Sequence, residues 1–337
     1  MIHLFTTNQH THRPNALAHK PASWGKRLWA SICITMLSTL VSLPANAQWK
    51  SYLAYSEPTE IERASGNMIY VLASEGLYSY DTSDQSLQTY DKINALSDCG
   101  IAHIAWCQKA KRLVIVYSNY NIDLLEANGN VVNMADYMNK TMTTDKTVND
   151  IYVDGAYAYL STGFGIVKIN VANGNISDTY QLGFKVNYSY IKDGYLYAAS
   201  MANGMYRAPL TANLLDPNQW TRSGNYVWRK KTMDEELLNI VKTLAPGGPK
   251  TNYCGFLKLY GNKLFSCNGT FDVKPGSIQV LENNTWTIYQ DDIEAITGRR
   301  YQDILAIDVD PKNSNHVMAA GRNGLYEFSN GRFVAYY

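Results

Sequence analysis

This chain has few of the residues from which most sites of chemistry are built. Histidine occurs six times in 337 residues, and His3, His10, His12 and His19 all fall at the extreme N-terminus, leaving only His103 and His316 beyond it. No HExxH or CxxC motif occurs, so the usual metal and dithiol signatures are missing. No GxSxG elbow occurs, and no glycine-rich loop has the strand-to-helix setting that phosphate binding requires. Charged residues make up 18% of the chain and the net charge is +1, so the composition favours neither nucleic acid nor an acidic polymer as partner. These absences give no catalytic, cofactor-binding or metal-binding residue to nominate, and the reading is that the protein is not an enzyme and carries no cofactor. The residues that would bind a partner are not legible at this level.

The one long apolar run, Leu28 to Leu43, follows Lys20, Lys26 and Arg27 and ends in Pro44-Ala45-Asn46-Ala47. It is shorter than the roughly 20 residues of a bilayer span. A basic stretch, an apolar core and a small-residue end read as a signal peptide over 1–47, with a retained anchor as the alternative. The mature chain is therefore expected to be exported. Export makes disulfides among Cys99, Cys107, Cys254 and Cys267 feasible. A mature domain this long needs no staples, so buried free thiols are the equal alternative.

What the chain does have is repetition. A turn residue, a short apolar strand, a small polar corner and a second strand rich in Leu, Ile and Tyr recur about every 40 to 45 residues. The residue before the second strand is Gly76, Asn121, Gly165, Gly204, Gly276 and Gly324 in turn, with one long step between Gly204 and Gly276. All-strand repeats of this length are the mark of β-propeller blades, because one such sheet cannot bury both of its faces alone. The expected fold is all-β: a propeller over 48–337 with six four-stranded blades, a seventh being the alternative. The stretch Trp49–Tyr55 alternates and is expected to close the ring as a strand of the last blade.

The long step places an insertion at about 211–250. Within it, Leu237, Leu238, Val241 and Leu244 share one helical face and acids stand at the start, so a helix is expected over 233–244. Ala245-Pro246-Gly247-Gly248-Pro249 would end it. Such an insertion is expected to project from one rim of the disc. His103, in the apolar run Ile101 to Trp106, reads as structural. Asp308, ending a strand, and Asp310, opening a turn that runs to Asn315, read as structural and not as a metal pair. The 26 tyrosines suit strand packing, and a ring can also serve as a platform for a sugar.

Three stretches carry a resemblance: Asn94 to Ala105, Tyr120 to Leu125, and Ala158-Tyr159-Leu160-Ser161-Thr162-Gly163-Phe164-Gly165-Ile166-Val167. They resemble the first propeller of the PorZ family, a surface component of the type IX secretion system in Bacteroidetes. The resemblance implies a non-catalytic scaffold at the outer membrane surface or in the periplasm of a Gram-negative bacterium. It implies as partners a PorU-type sortase, other attachment-complex proteins and anionic lipopolysaccharide, which the family is thought to present to the sortase. Family members are more than twice this length, so the resemblance also implies a truncated or split member. The alternative function is the glycan-sensing periplasmic propeller of a two-component regulator.

Overall fold

The computed structural model describes residues 50–289 and 291–337. The expected signal peptide over 1–47 therefore lies outside the described residues. All the strands assigned fall into six four-stranded antiparallel sheets, each a meander in which neighbours in sequence are neighbours in space. Blade 1 comprises β1 (Pro58–Arg63), β2 (Met68–Ala73), β3 (Gly76–Asp81) and β4 (Leu87–Tyr90). Blade 2 comprises β5 (Ile101–Cys107), β6 (Arg112–Tyr117), β7 (Ile122–Glu126) and β8 (Val131–Asn133). Blade 3 has β9 (Val148–Asp154), β10 (Tyr157–Thr162), β11 (Gly165–Asn170) and β12 (Asn175–Gln181), and blade 4 has β13 (Tyr188–Lys192), β14 (Tyr195–Ser200), β15 (Gly204–Pro209) and β16 (Thr221–Gly224). Blade 5 runs through β17 (Phe256–Tyr260), β18 (Lys263–Cys267), β19 (Ile278–Glu282) and β20 (Thr285–Ile288). Blade 6 runs through β21 (Ile304–Asp310), β22 (Asn313–Gly321), β23 (Gly324–Ser329) and β24 (Arg332–Tyr336). Three short helices, α1 (Asp136–Asn139), α2 (Glu235–Val241) and α3 (Ile293–Thr297), lie between strands.

The repeat residues mark the entry to the third strand of each blade, and the geometry explains the glycines. At Gly165 φ is +155°, and a Cβ there would lie 2.0 Å from the Tyr180 carbonyl oxygen of the fourth strand. Gly204 repeats the arrangement, with φ at +92° and the Gly224 carbonyl 2.6 Å from where its Cβ would be. A side chain at either point would push the fourth strand off the ladder.

The middle strands read as unbroken apolar runs because both of their faces are covered. In β2, Tyr70 and Leu72 join the core shared with blade 2, whereas Ile69, Val71 and Ala73 pack against α2 through Leu237 and Val241. A second core joins blade 2 to blade 3 around Val114, Leu124 and Leu160, and a third joins blade 3 to blade 4 around Tyr159, Ile166 and Leu196. A fourth, containing Phe265, Ile278, Val317 and Phe328, joins blade 5 to blade 6. Each fully buried Leu, Val or Phe contributes about 1.5–3 kcal/mol to such a core. The first strands β1, β5, β9 and β13 abut in that order, as the innermost strands of a propeller do, and β17 abuts β21 in the same way.

Several expectations are corrected. Residues 50–55 form no strand, and β24 pairs with β23 alone. The segment instead threads between blades 1 and 5. The Ala54 N–H donates to Asn252 Oδ1 at 2.8 Å, Tyr52 donates to Asn284 at 2.9 Å, and the Tyr52 ring meets Trp286 edge-on at 5.6 Å. Its backbone groups are thus partly satisfied by side chains, so no ladder is needed. The extra chain between blades begins later than 211, because β16 still belongs to blade 4; it occupies 225–255. The helix in it is shorter than 233–244, spanning Glu235–Val241 with Asp234 accepting from the Leu237 N–H as its cap. The turn from Asp310 narrows to Pro311 and Lys312, since β22 already starts at Asn313.

Candidate functional site

The inner strands of blades 1 to 3 carry an acidic cluster whose origin lies in sheet edges. Each inner strand has one edge with no strand beside it, and its N–H groups need acceptors. Glu60 and Glu62, two residues apart on β1, point the same way. Glu60 Oε2 accepts from the Ile104 N–H at 2.7 Å and Glu62 Oε2 from the Trp106 N–H at 3.1 Å. The two-residue period of one strand thereby matches the two-residue spacing of free N–H groups on the next. Glu60 Oε1 also lies 2.8 Å from His103 Nδ1. Asp150 on β9 completes the cluster and, like Glu60, is only 7% exposed in its side chain.

Cations reach these acids from the inserted segment. Lys231 Nζ lies 2.6 Å from Glu60 Oε1 and 3.9 Å from Asp150 Oδ1. Arg229 donates to Asp150 Oδ2 at 2.8 Å, and its guanidinium sits 4.6 Å above the Tyr188 ring. Tyr188 donates to the Val227 carbonyl at 2.6 Å. Residues 226–231 therefore form a strap across the inner strands of blades 4, 3 and 1 and do not project from the rim as the sequence led us to expect. Trp228 stands on the strap with 68% of its surface exposed, beside exposed Lys230.

The two buried carboxyls respond in opposite ways. Burial pushes the Glu60 carboxyl up, but the His103 hydrogen bond, Lys231 and the Ile104 N–H together outweigh it and hold the group below its ordinary value. Burial also pushes Asp150 up, and Arg229 and Lys231 do not fully offset it, so it stays above its ordinary value. Glu62 is likewise raised by burial.

His103, read from sequence as structural, is found in this polar cluster as a partner of Glu60. Glu60, Asp150, Arg229 and Lys231 were not singled out; the available signal was the Glu-x-Glu spacing on the first strand and the basic run Arg229-Lys230-Lys231 in the insertion. His316 lies apart, between Asp310 at 3.4 Å and Glu327 at 2.9 Å. Asp308 pairs with Lys258, and Asp310 accepts from the Lys312 N–H at 2.8 Å, so both serve local structure. Among the described residues no cluster of three or more His, Cys, Asp or Glu could hold a metal ion. The four cysteines among the described residues are unpaired, Cys107 and Cys267 buried and Cys99 and Cys254 exposed. Burial pushes the Cys267 thiol up to about 12, which makes it a poor nucleophile. A cavity of about 500 Å³ lies between blades 1 and 5, lined among others by Glu57, Glu75, Asn252, Tyr253 and Lys274. No described helix is long and apolar enough to cross a membrane.

Comparison with known proteins places this geometry. The family model for the type IX secretion system PorZ N-terminal β-propeller domain matches residues 69–221. Over that span, blades 1 to 4 are similar to the PorZ N-terminal propeller domain. The matched span starts in β2 and stops on the first residue of β16, so it falls within the four-blade set. A solved structure of PorZ from Porphyromonas gingivalis, described as an essential bacterial surface component of the type IX secretion system, shares the fold with a TM-score of 0.72 at 20% identity. That likeness covers 86% of this chain and 53% of PorZ, so the chain spans about half the length of that relative. The extracellular domain of a putative one-component system of B. thetaiotaomicron is more distant, with a TM-score of 0.40 at 13% identity over 82% of this chain and 41% of that one. No curated protein matches the sequence.

Proposed function

We propose that this protein is a non-catalytic binding component of the type IX secretion machinery, exported under the 1–47 leader to the outer membrane surface. There it holds anionic lipopolysaccharide for a PorU-type sortase within an attachment complex. The observation that carries the reading is the PorZ domain match over blades 1 to 4. The strap adds a chemical reason. An exposed Trp228 ring two residues from exposed Lys230 puts an aromatic face and a cation on one strap, the pairing that a charged sugar chain needs. The strap is held by buried carboxylates, so little ordering is required on binding.

The test is a gel-shift assay of the protein with anionic lipopolysaccharide, against lipopolysaccharide lacking the anionic sugar chain, together with a pull-down of the sortase complex. Retention of the anionic form alone is expected, with Trp228→Ala and Lys230→Ala each weakening it several-fold. No interaction in either assay would overturn the proposal.

A further inference from the structure

The cavity between blades 1 and 5 has walls of opposite charge. On the blade 1 side stand Glu57, ahead of β1, and Glu75, in the two-residue turn between β2 and β3. On the blade 5 side stand Lys250, ahead of β17, and Lys274, ahead of β19, whose ammonium lies 4.9 Å from the centre of the Tyr253 ring. Among the described residues, none of these four side chains has an ion-pair partner. Unlike charges that face one cavity without meeting leave room for a molecule that carries both signs.

The frame that holds these charges is fixed. The Lys250 N–H donates to Gln279 Oε1 at 3.0 Å, and the Lys250 carbonyl accepts from Ser56 Oγ at 2.5 Å. The buried Asp303 carboxylate accepts from the Val273 N–H at 3.0 Å and the Lys274 N–H at 2.7 Å, and Arg322 donates to it at 2.6 Å. Val273 has φ of +60°, a strained setting for a β-branched residue, so this loop is held in one shape against its local preference. Glu75 has φ of +70°, placing a carboxylate in a turn where glycine would be least strained.

The uncharged polar side chains are already committed. The Asn252 amide joins the Ala54 N–H to the Ser74 carbonyl, and the Asn268 amide joins the Pro275 carbonyl to the Ser277 N–H. A neutral sugar would find few free partners for its hydroxyls. Recognition is left to the four charges and the half-exposed Tyr253 ring. We infer that the cavity binds a short peptide with free termini, its carboxylate on Lys250 and Lys274 and its ammonium on Glu57 and Glu75. A volume of about 500 Å³ corresponds to roughly 10 Å across, the span of about three extended residues. Strap residues 226–231 do not line this cavity, so the site is separate from the one proposed for glycan.

The experiment is calorimetric titration of the whole protein, at low salt, with trialanine, N-acetyl-trialanine and trialanine amide. Trialanine should bind saturably, and blocking either end should weaken it about tenfold. Two paired variants then assign the ends. Lys250→Gln with Lys274→Gln should abolish the preference for trialanine over its amide while keeping the preference over the acetylated form. Glu57→Gln with Glu75→Gln should do the reverse. A protein that merely lost its shape would lose both preferences together. No saturable binding of trialanine up to about 10 mM would overturn the inference. So would equal binding of the three peptides, or paired variants that change both preferences alike or neither.

Discussion

Blades 1 to 4 and blades 5 and 6 are made from the same four-stranded repeat, yet they are held together differently. In the first set three apolar cores run from blade to blade, inner-strand N–H groups of blade 2 are satisfied by carboxylates of blade 1, and the strap ties blades 1, 3 and 4 across the inside. In the second set one core, rich in aromatic rings, joins the two blades, helped by polar links such as Lys258 to Asp308 and the Gly269 N–H to the Ile304 carbonyl at 2.7 Å. Between the sets the contacts are largely polar and pass through connecting segments, such as Asn252 Nδ2 to the Ser74 carbonyl at 2.6 Å and the Lys250 N–H to Gln279 at 3.0 Å. The difference teaches that the repeat sets the sheet, whereas the connector sets what the sheet packs against. Short links keep blades 1 to 4 in sequence order, and the long link over 225–255 moves blade 5 to the other side of blade 1.

The largest test of that contrast is thermal. If the two sets are separate cooperative units, calorimetry should resolve two transitions. Phe265→Ala should lower the blade 5–6 transition by about 3–5 kcal/mol, and Leu160→Ala the other by about 2–5 kcal/mol. One transition, shifted equally by both changes, would erase the distinction.

A second test uses the two buried acids, which blades 5 and 6 do not contact. Glu60 is depressed from 4.5, so its contribution is present above 4.5 and is lost as pH falls through its folded value. Asp150 is raised from 3.8, so its contribution is present below 3.8 and is lost as pH rises through its folded value. At neutral pH, Glu60→Gln should therefore destabilise the four-blade set by about 1–3 kcal/mol. Asp150→Asn should stabilise it slightly, since it removes a charge that burial disfavours while Arg229 stays 45% exposed. Urea midpoints at pH 7 and near pH 4 would show both differences shrinking on acidification; equal signs for the two variants at pH 7 would contradict this account.

The smallest effect concerns α2, which closes the outer face of blade 1. Asp234→Ala removes the helix cap at a cost of about 1 kcal/mol. Hydrogen exchange over 235–241 should speed up roughly fivefold while β17 to β24 are untouched. The exposed contact of Arg63 with Asp234 at 3.9 Å adds little to this.

Much of this fold was legible because its repeat is written in local chemistry. The corner glycines are required by backbone geometry, and apolar runs such as Met68 to Ala73 mark strands covered on both faces. The acids before Leu237 and the apolar face from Leu237 to Leu244 announced the helix. The strand expected at 49–55 failed because alternation shows only that a segment has two unlike sides; Tyr52 and Tyr55 use theirs on Trp286 and Tyr78. The polar cluster was hidden for a related reason. Glu60, His103, Asp150 and Lys231 are far apart in the chain, and only the abutting of inner strands and the return of the strap make them neighbours.

By itself, then, the sequence determined six meander sheets, their corners, the inserted helix and the likeness to PorZ over the early blades. Each of these depends on interactions among residues a few positions apart. The tertiary structure alone decided which blades share a core, where the strap lies and which carboxylates meet cations. Those outcomes depend on the path of one long connector, whose direction no local periodicity encodes.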